Sequence, residues 1–325
     1  MQTSLFEQPH EMAERIIANI ERVLIGKREA VKHMLIAALC GGHVLLDDVP
    51  GVGKTTLVKA LAKSFGCKFN RIQFTPDLLP SDITGISWYH PKKGEFEFRE
   101  GPLMANIVLA DEINRTAPRT QAALLEAMEE RRVTVDGKTY PLPKPFMIMA
   151  TQNPIDYEGT YPLPEAQMDR FLMRIQLGYP KPEHELSMLQ QRSELHTVDR
   201  LRPVIVIDEW LKLQQQVQNV YIDSTLQEYI VRIVGMTRDR RLFRLGASPR
   251  ASLALMKTAQ ANALLKGRRY VIPDDILEML EPVLFHRVIM AADAVPPGNS
   301  TAHLLREMAG KIPIPSLKYA EVAAR

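Results

Sequence analysis

The pattern of apolar and polar residues changes near residue 178. Before that point, short apolar runs typical of buried strands alternate with segments in which apolar residues recur at helical spacing. These runs predict five strands, at residues 44–46, 67–74, 107–112, 146–150 and 171–177. Beyond Gly178–Pro182 the pattern is helical, with no further strand of comparable strength. Alternating strands and helices indicate a parallel sheet, so we expect an α/β core over residues 1–178 and an all-α domain over residues 179–325.

Helices and turns are predicted between the strands. Helical spacing favours helices over residues 12–25, 29–39, 54–65 and 120–131. In the insert Thr75–Leu103, two alternating segments flank a PKKG turn and predict a β-hairpin. Asp136–Gly137, inside the stretch Val133–Tyr140, is a strong turn signal and predicts a second hairpin. In the second half, Ser248 and Pro249 form a helix start, with serine as the cap and proline at the first helical position.

One stretch of the first half carries a recognisable chemistry. The sequence GHVLLDDVPGVGKTTL, from residue 42 to 57, passes from an apolar run through a glycine-bearing loop into a helix. Gly51 and Gly53 allow the backbone N–H groups to turn toward a triphosphate, and the helix N-terminus points its partial positive charge at the same anion. In this context GKT predicts an ATP or GTP site, in which Lys54 neutralises the β- and γ-phosphates and Thr55 holds Mg²⁺.

The whole loop is assigned to nucleotide binding. Its residues are Asp48, Val49, Pro50, Gly51, Val52, Gly53, Lys54, Thr55 and Thr56. The loop departs from the motif GxxxxGK[ST] at its first position, where Asp48 replaces glycine. The last four positions of the motif make the close phosphate contacts, so we interpret the loop as a variant of it. The alternative is a glycine-rich turn followed by an exposed lysine.

The apolar run Ile107–Glu112 ends in two carboxylates and is the companion of a phosphate-binding loop. Asp111 is expected to hold Mg²⁺ directly or through water, and Glu112 to polarise the attacking water. The alternative is a strand that merely ends in solvated acids. Polar residues also follow the strand at 146–150, so Asn153 is a candidate to orient the lytic water at the carboxyl edge of the sheet.

Arg250 is a further candidate, because it directly follows the proline that starts its helix. The helix dipole disfavours a cation at a helix N-terminus unless an anion is near. This placement indicates a phosphate contact for Arg250, with an ordinary surface arginine as the alternative.

The composition places limits on the class of protein. The chain has 325 residues, of which 46% are hydrophobic and 24% charged, and its net charge is +3. This near balance gives no case for a polyanion-binding surface. The longest apolar run, Met34–Cys40, is far shorter than the roughly 20 residues of a membrane span, and the acidic N-terminus argues against a signal peptide. Cys40 and Cys67 lack metal or redox spacing, and no histidine has metal-ligand spacing, so we expect a cytoplasmic protein with buried thiols.

Five motifs occur in one order: DDVPGVGKT, IVLADEINR, MATQNP, EAQMDRF and GASPRA. Together they closely resemble the MoxR family of AAA+ ATPases, and the match covers nearly the whole chain. The resemblance implies hydrolysis of ATP with Mg²⁺, in which Asn153 is the sensor-1 residue and Arg250 the sensor-2 arginine of the lid. It also implies that Arg170 is the arginine finger and acts on the neighbouring subunit's nucleotide. An ion pair of Arg170 with Asp169 or Glu165 of its own subunit is the alternative.

The resemblance also implies partners. It implies a homo-oligomeric ring, usually a hexamer, with a chaperone-like role. Such ATPases act with proteins that carry von Willebrand factor A domains to mature or assemble other proteins, sometimes by helping metal insertion. The hairpin around Ile86–Glu100 matches the insert that this clade carries in its second core helix, and the hairpin Val133–Tyr140 matches the one before sensor 1.

Three other functions fit the motifs less well. A nucleic-acid motor is one, because related helicases carry similar hairpins, but the first hairpin holds three basic and three acidic residues. Affinity for nucleic acid comes largely from neutralised phosphates, so we expect no nucleic-acid binding. The ATPase subunit of a metal chelatase shares much of this architecture. A non-catalytic, nucleotide-sensing scaffold is disfavoured by the intact pair Asp111–Glu112.

Overall fold

The structure is a computed structural model and describes residues 8–152, 160–190, 198–291 and 301–315. Its helices are α1 Pro9–Glu21, α2 Arg28–Leu39, α3 Lys54–Ser64, α4 Pro80–Thr84, α5 Pro118–Glu130, α6 Glu165–Met168, α7 Pro182–Gln190, α8 Ile207–Gln218, α9 Ser224–Met236, α10 Pro249–Leu265, α11 Pro273–Glu278, α12 Leu280–Leu284 and α13 Thr301–Gly310. Its strands are β1 Val44–Asp47, β2 Phe69–Gln73, β3 Gly85–His90, β4 Glu95–Glu100, β5 Ile107–Asp111, β6 Arg132–Val135, β7 Lys138–Pro141, β8 Met147–Gln152, β9 Met173–Ile175, β10 Phe243–Leu245 and β11 Ile289–Met290.

Five strands form one parallel sheet in the order β2-β5-β8-β1-β9. β1 lies between β8 and β9, with Leu45 opposite Ala150 of β8 and Arg174 of β9. The five predicted strands are confirmed, with ends that differ by one or two residues. Because the strands are parallel, their carboxyl ends share one edge of the sheet. The phosphate loop starts at that edge, directly after β1.

Apart from the edge strand β2, the sheet is buried on both faces, as parallel sheets generally are. Alternate residues of β5 serve the two faces, since Ile107 and Leu109 belong to one apolar cluster and Val108 and Ala110 to another. The first cluster continues through α1, α2 and α3 into α8 to α12. The second is smaller and includes residues of α5 and β6. The sheet and the helices of the second half therefore share one continuous core.

Both predicted hairpins are confirmed. β3 pairs antiparallel with β4, and β6 pairs antiparallel with β7. The hairpins contact each other through Phe98 and Tyr140, whose stacked rings have centroids 3.9 Å apart. Trp88 and Phe96 of the first hairpin are exposed. The two inserts therefore form one joint surface feature.

The second half is helical, as predicted, and adds one short ribbon in which β10 pairs antiparallel with β11. These strands have three and two residues, which is too short to give an alternation that sequence reasoning would detect. Ser248 caps α10 as predicted, and its hydroxyl accepts the Arg250 N–H at 3.1 Å. None of the described helices is long and apolar enough to cross a membrane.

The prediction of the first helix is wrong at both ends, since α1 covers Pro9–Glu21 rather than residues 12–25. Leu24 is buried beyond the helix end, so the apolar spacing continues past the helix itself. α1 contacts both α3 and α10, and α2 also contacts α10. The N-terminal helices thus pack on both halves of the chain, and the division between residues 178 and 179 stays a prediction.

Candidate active site

The phosphate loop has the backbone that its glycines predict. Gly51 and Gly53 have φ angles of 86° and 97°, in the left-handed region that favours glycine. α3 begins at Lys54, and its N-cap residue Gly53 has no side chain that could cap the first N–H groups of the helix. The N–H groups of the first helical turn are thus available to an anion, which the helix dipole favours at this end. Lys54 Nζ donates to the backbone carbonyl of Asp48 at 2.6 Å, so the ammonium group is held across the loop.

A cavity of about 340 Å³ lies at this loop and at the carboxyl edge of the sheet. Its lining residues are Pro50, Gly51, Gly53, Lys54, Thr55, Thr56, Asp111, Glu112 and Thr151. The structure therefore brings the predicted lysine, both threonines and both acids around one space. The other predicted loop residues do not line it, since Asp48 and Val52 are buried and Val49 is half-buried.

The two acids at the end of β5, Asp111 and Glu112, have different environments. One carboxylate oxygen of the buried Asp111 accepts the Thr151 hydroxyl at 2.6 Å, and the other accepts two N–H groups of Arg71, at 2.6 and 3.0 Å. Glu112 has a φ of 58°, which is uncommon for a residue other than glycine and occurs where a site holds its backbone under strain. The N–H of Glu112 donates to Thr151 Oγ1 at 2.8 Å. Thr151 therefore contacts both acids.

Gln73 of β2 orients the side chain of Glu112. Its Nε2 donates to Glu112 Oε2 at 2.7 Å, and its Oε1 accepts an N–H of Arg71 at 2.8 Å. Sequence reasoning missed both Gln73 and Arg71. They lie two residues apart on one face of β2, and Gln73 is opposite Asp111 of β5. The alternation along β2 is visible in the sequence, but only the strand order brings these side chains to the acids.

The oxygen donors of the cavity fit a magnesium ion that is bound with a nucleotide. Thr55 and Asp111 offer a hydroxyl and a carboxylate to the same space. Mg²⁺ is usually bound by one or two protein groups together with substrate phosphates and water. Within the described ranges, no group of three or more His, Cys, Asp or Glu side chains is arranged to hold a metal by itself. Because both oxygens of Asp111 already accept hydrogen bonds, the arrangement favours contact with the ion through water.

Asn153 lies outside the described residues, and its role in orienting water stays a prediction. The preceding residue, Gln152, is the last residue of β8. β8 lies between β5, which ends in Asp111, and β1, which leads into the phosphate loop. The strand that precedes Asn153 therefore ends where the prediction requires.

Arg170 and Arg250 lie together, and neither lines the phosphate-loop cavity. Both pair with Glu129 in the last turn of α5, where Arg250 donates to Oε1 at 2.6 Å and Arg170 donates to Oε2. All three residues line a second cavity of about 290 Å³ at the start of α10. Between 32% and 49% of each side chain is exposed, and ion pairs with that much exposure contribute little to stability.

The alternative for Arg170, an ion pair with Asp169 or Glu165 of its own subunit, is wrong about the partner. Asp169 instead accepts a hydrogen bond from Nε of the buried Arg287 at 2.8 Å. Glu165 forms a long ion pair, of 4.0 Å, with Arg244 of β10. Arg170 does form an ion pair within the subunit, but its partner is Glu129. That carboxylate lies 41 residues away in the sequence, and no local spacing pointed to it.

A parallel sheet with a glycine-bearing loop after β1, an acid pair at the end of β5 and a helical second half defines a P-loop NTPase of the AAA+ class. Comparison with known families agrees. A family model described as the ATPase family associated with various cellular activities (AAA) matches residues 43–173. A second family model, described as the AAA lid domain, matches residues 235–308.

Similar proteins identify the family. YeaC of Bacillus subtilis is 54% identical over 309 residues, which are 95% of this chain and 97% of that protein. Chaperone MoxR1 of Mycobacterium tuberculosis is 44% identical over 291 residues, 87% of this chain and 77% of that protein. A crystal structure of a candidate ATPase from Cytophaga hutchinsonii has a TM-score of 0.87 and 39% identity, and covers 95% of this chain and 96% of that one. The chain belongs to the MoxR family of AAA+ ATPases.

Proposed function

We propose that the chain binds ATP at the phosphate loop and hydrolyses it to ADP and phosphate in a Mg²⁺-dependent reaction. Lys54 and the loop N–H groups bind the β- and γ-phosphates, while Thr55 and Asp111 hold the ion. Bound Mg²⁺ supplies positive charge to the phosphate oxygens. The observation that carries the proposal is that Lys54, Thr55, Asp111 and Glu112 line the same cavity.

Glu112 is the residue that accepts a proton from the attacking water. Its carboxylate lines the same cavity as Lys54, and the Gln73 amide holds it at 2.7 Å. A carboxylate within hydrogen-bond reach of water accepts the proton as the water oxygen attacks phosphorus. Asn153 orients the same water from the end of β8, a role that the family resemblance implies.

Arg170 and Arg250 complete the site of a neighbouring subunit. Both guanidinium groups contact Glu129 rather than the cavity that Lys54 lines. A carboxylate held between two guanidinium groups marks an anion position that both arginines reach. In a homo-oligomer, this position is available to the neighbour's γ-phosphate. These observations support a ring, for which the family resemblance implies six subunits.

The ATPase cycle serves a chaperone-like role in the cytoplasm. A relative that is 44% identical carries the name Chaperone MoxR1, and this name supports the remodelling of other proteins. A partner with a von Willebrand factor A domain, and a client that is matured, assembled or loaded with metal, follow from the family resemblance. A nucleic-acid motor is disfavoured in this proposal, because Lys93 of the first hairpin pairs with Glu97 of the same hairpin and the charges of that hairpin balance.

The test of this function is the Glu112→Gln variant. Glutamine has the same size but accepts no proton, so the hydrolysis rate should fall by about 100-fold or more, since general bases contribute about 10²–10⁴. ATP affinity, measured by equilibrium binding, should stay near that of the unchanged protein. Glu29→Gln, an exposed glutamate of α2, is the matched control and should hydrolyse ATP normally. Undiminished hydrolysis by Glu112→Gln, or hydrolysis that persists after Mg²⁺ is chelated, contradicts the proposal.

A further inference from the structure

Asp48, which replaces the first glycine of the phosphate-loop motif, is buried with 9% of its surface exposed. Its Oδ1 accepts the N–H of Val49 at 3.2 Å. Its Oδ2 accepts the N–H groups of Leu177 and Gly178, the second at 2.7 Å. A buried carboxylate is stable when several donors satisfy its oxygens. Two of these donors lie about 130 residues away in the sequence, so Asp48 ties the phosphate loop to a distant segment.

Lys27 holds the same segment from its carbonyl side. Its Nζ donates to the carbonyl oxygens of Leu177, Gly178 and Tyr179 at 2.7, 2.9 and 2.8 Å. These three bonds use every donor of the ammonium group. Lys27 is 8% exposed, and burial lowers its pKa while the Asp48 carboxylate opposes that change. The N–H groups of the segment therefore bind a buried anion, and its carbonyl groups bind a buried cation.

The segment 177–179 is the connection between the two halves of the chain. It follows β9 and leads to α7. Gly178 has a φ of 62°, so the connection turns here in a conformation that favours glycine. The backbone carbonyl of Asp48 also accepts a hydrogen bond from the Lys54 ammonium group. One residue therefore contacts both the phosphate-binding lysine and the connection to the helices that carry Arg250.

We propose that Asp48 and Lys27 are positioning residues that clamp the 177–179 connection to the phosphate loop, so that the state of the loop is transmitted to the helices beyond. The effect of the clamp on turnover rests on the proposed ATPase function, whereas the clamp itself does not. The Asp48 side chain does not line the phosphate-loop cavity. Its loss should therefore spare nucleotide binding and lower turnover, because α10 and the arginine that it presents to the neighbouring subunit are no longer held in a fixed position.

Amide hydrogen exchange of the full chain, read by mass spectrometry with and without Mg·ADP, tests the clamp. Asp48→Ala should speed exchange at residues 177–178 by about tenfold, the equivalent of one lost hydrogen bond, and should abolish the response of this segment to ADP. Lys27→Met keeps the chain length but removes the ammonium, and should loosen the same segment. Asp48→Asn keeps one carbonyl acceptor and should recover part of the protection. Asp47→Ala is the matched control, because its carboxylate pairs with Arg174 of β9, and it should leave the segment protected.

Turnover separates positioning from a structural role. In Asp48→Ala, kcat should fall by about tenfold while the affinity for ADP changes by less than about threefold. Unchanged exchange at residues 177–178 in both Asp48→Ala and Lys27→Met overturns the proposal. So does an equal rise in exchange across the whole core, or a loss of ADP affinity with unchanged kcat. If Asp48→Ala does not fold, Lys27→Met and Asp48→Asn decide the question. If the protein without substitutions had no ATPase activity, the proposed function would be refuted. The exchange data would still decide whether the clamp exists.

Discussion

Lys54 and Glu112 line one cavity at the carboxyl edge of the sheet, whereas Arg170 and Arg250 meet at Glu129 on the last turn of α5. The first region is built from the ends of β1 and β5, and its buried Asp111 has both oxygens in hydrogen bonds. The second region is held by ion pairs with exposed side chains. This difference supports the proposal that one chain supplies the nucleotide-binding region, while its arginines act on the nucleotide of another chain.

The largest expected effects come from Arg170→Ala and Lys54→Ala, which should fail in opposite ways. Arg170→Ala should bind ATP normally and lose about 10³-fold or more in turnover, as arginine fingers generally do. Lys54→Ala should lose about 10- to 150-fold in affinity, since a hydrogen bond to a charged group contributes about 1.5–3 kcal/mol. Equilibrium binding of a labelled ATP analogue, combined with steady-state rates, measures both. Weak binding by Arg170→Ala would place this arginine in the site of its own subunit.

A smaller effect is expected within the phosphate-loop region, from Gln73→Ala. The Gln73 amide orients the Glu112 carboxylate, so its removal should lower kcat by about tenfold, part of what a general base contributes. KM should change little, because Gln73 does not line the cavity. Asn70→Ala is a matched control on the same strand, as its side chain donates to the carbonyl of Pro102 instead. A raised KM with unchanged kcat in Gln73→Ala would show that Gln73 serves binding rather than the acid.

The last expected effect is on stability rather than on turnover, and it is a pH dependence set by His43 beside the region that carries Glu129. His43 binds the Met128 carbonyl at 3.1 Å and accepts the Ile148 N–H at 2.9 Å, so it holds the end of α5 to β8. Burial, with the nearby Arg131, lowers the pKa of His43 from 6.5 to about 3. Since the folded pKa lies below the unfolded one, the contribution of neutral His43 to stability is complete above pH 6.5 and is lost as pH falls toward 3.

Thermal unfolding at pH 7 and pH 5 measures this contribution. Between pH 7 and pH 5, the free energy of unfolding should fall by about 2 kcal/mol more in the unchanged protein than in His43→Gln. This follows from the roughly 1.36 kcal/mol that one pKa unit represents. Glutamine can make the same two hydrogen bonds without titrating. Among the described residues, the other buried histidine is His286, and its contribution cancels because it is present in both proteins. Equal losses in the two proteins would contradict a buried, neutral His43.

The sequence predicted the phosphate-loop region more completely than the arginine region, for physical reasons. The loop and the acid pair are local, because glycine spacing and the end of an apolar run are read directly from neighbouring residues. Tertiary contacts bring Gln73 and Arg71 to the acid pair and Glu129 to the two arginines. No local pattern in the sequence marks these three residues. The same holds for Asp48, whose substitution in the motif was visible but whose partners at residues 177–178 were not.

The strands were predicted better than the helix ends. Most of the five strands were found because they are buried on both faces and form nearly continuous apolar runs, whereas β2, at the edge of the sheet, mixes apolar and polar residues. The first helix was placed too far along the chain because Leu24 is apolar and buried although α1 ends at Glu21. Apolar spacing reports burial, and burial does not stop at the last helical residue.

The central claim is that the arginine region of one chain serves the phosphate-loop region of the next, and mixing two inactive variants tests it most directly. Arg170→Ala subunits keep their loop but donate no finger, whereas Lys54→Ala subunits lack the loop function but still donate one. In rings mixed at equal amounts, about a quarter of the interfaces combine the intact half of each, as expected for a heterologous ring contact. The ATPase rate per subunit should therefore return to about a quarter of the rate of rings without substitutions. If the mixture stays inactive although co-assembly is demonstrated, Arg170 does not act on a neighbour's nucleotide.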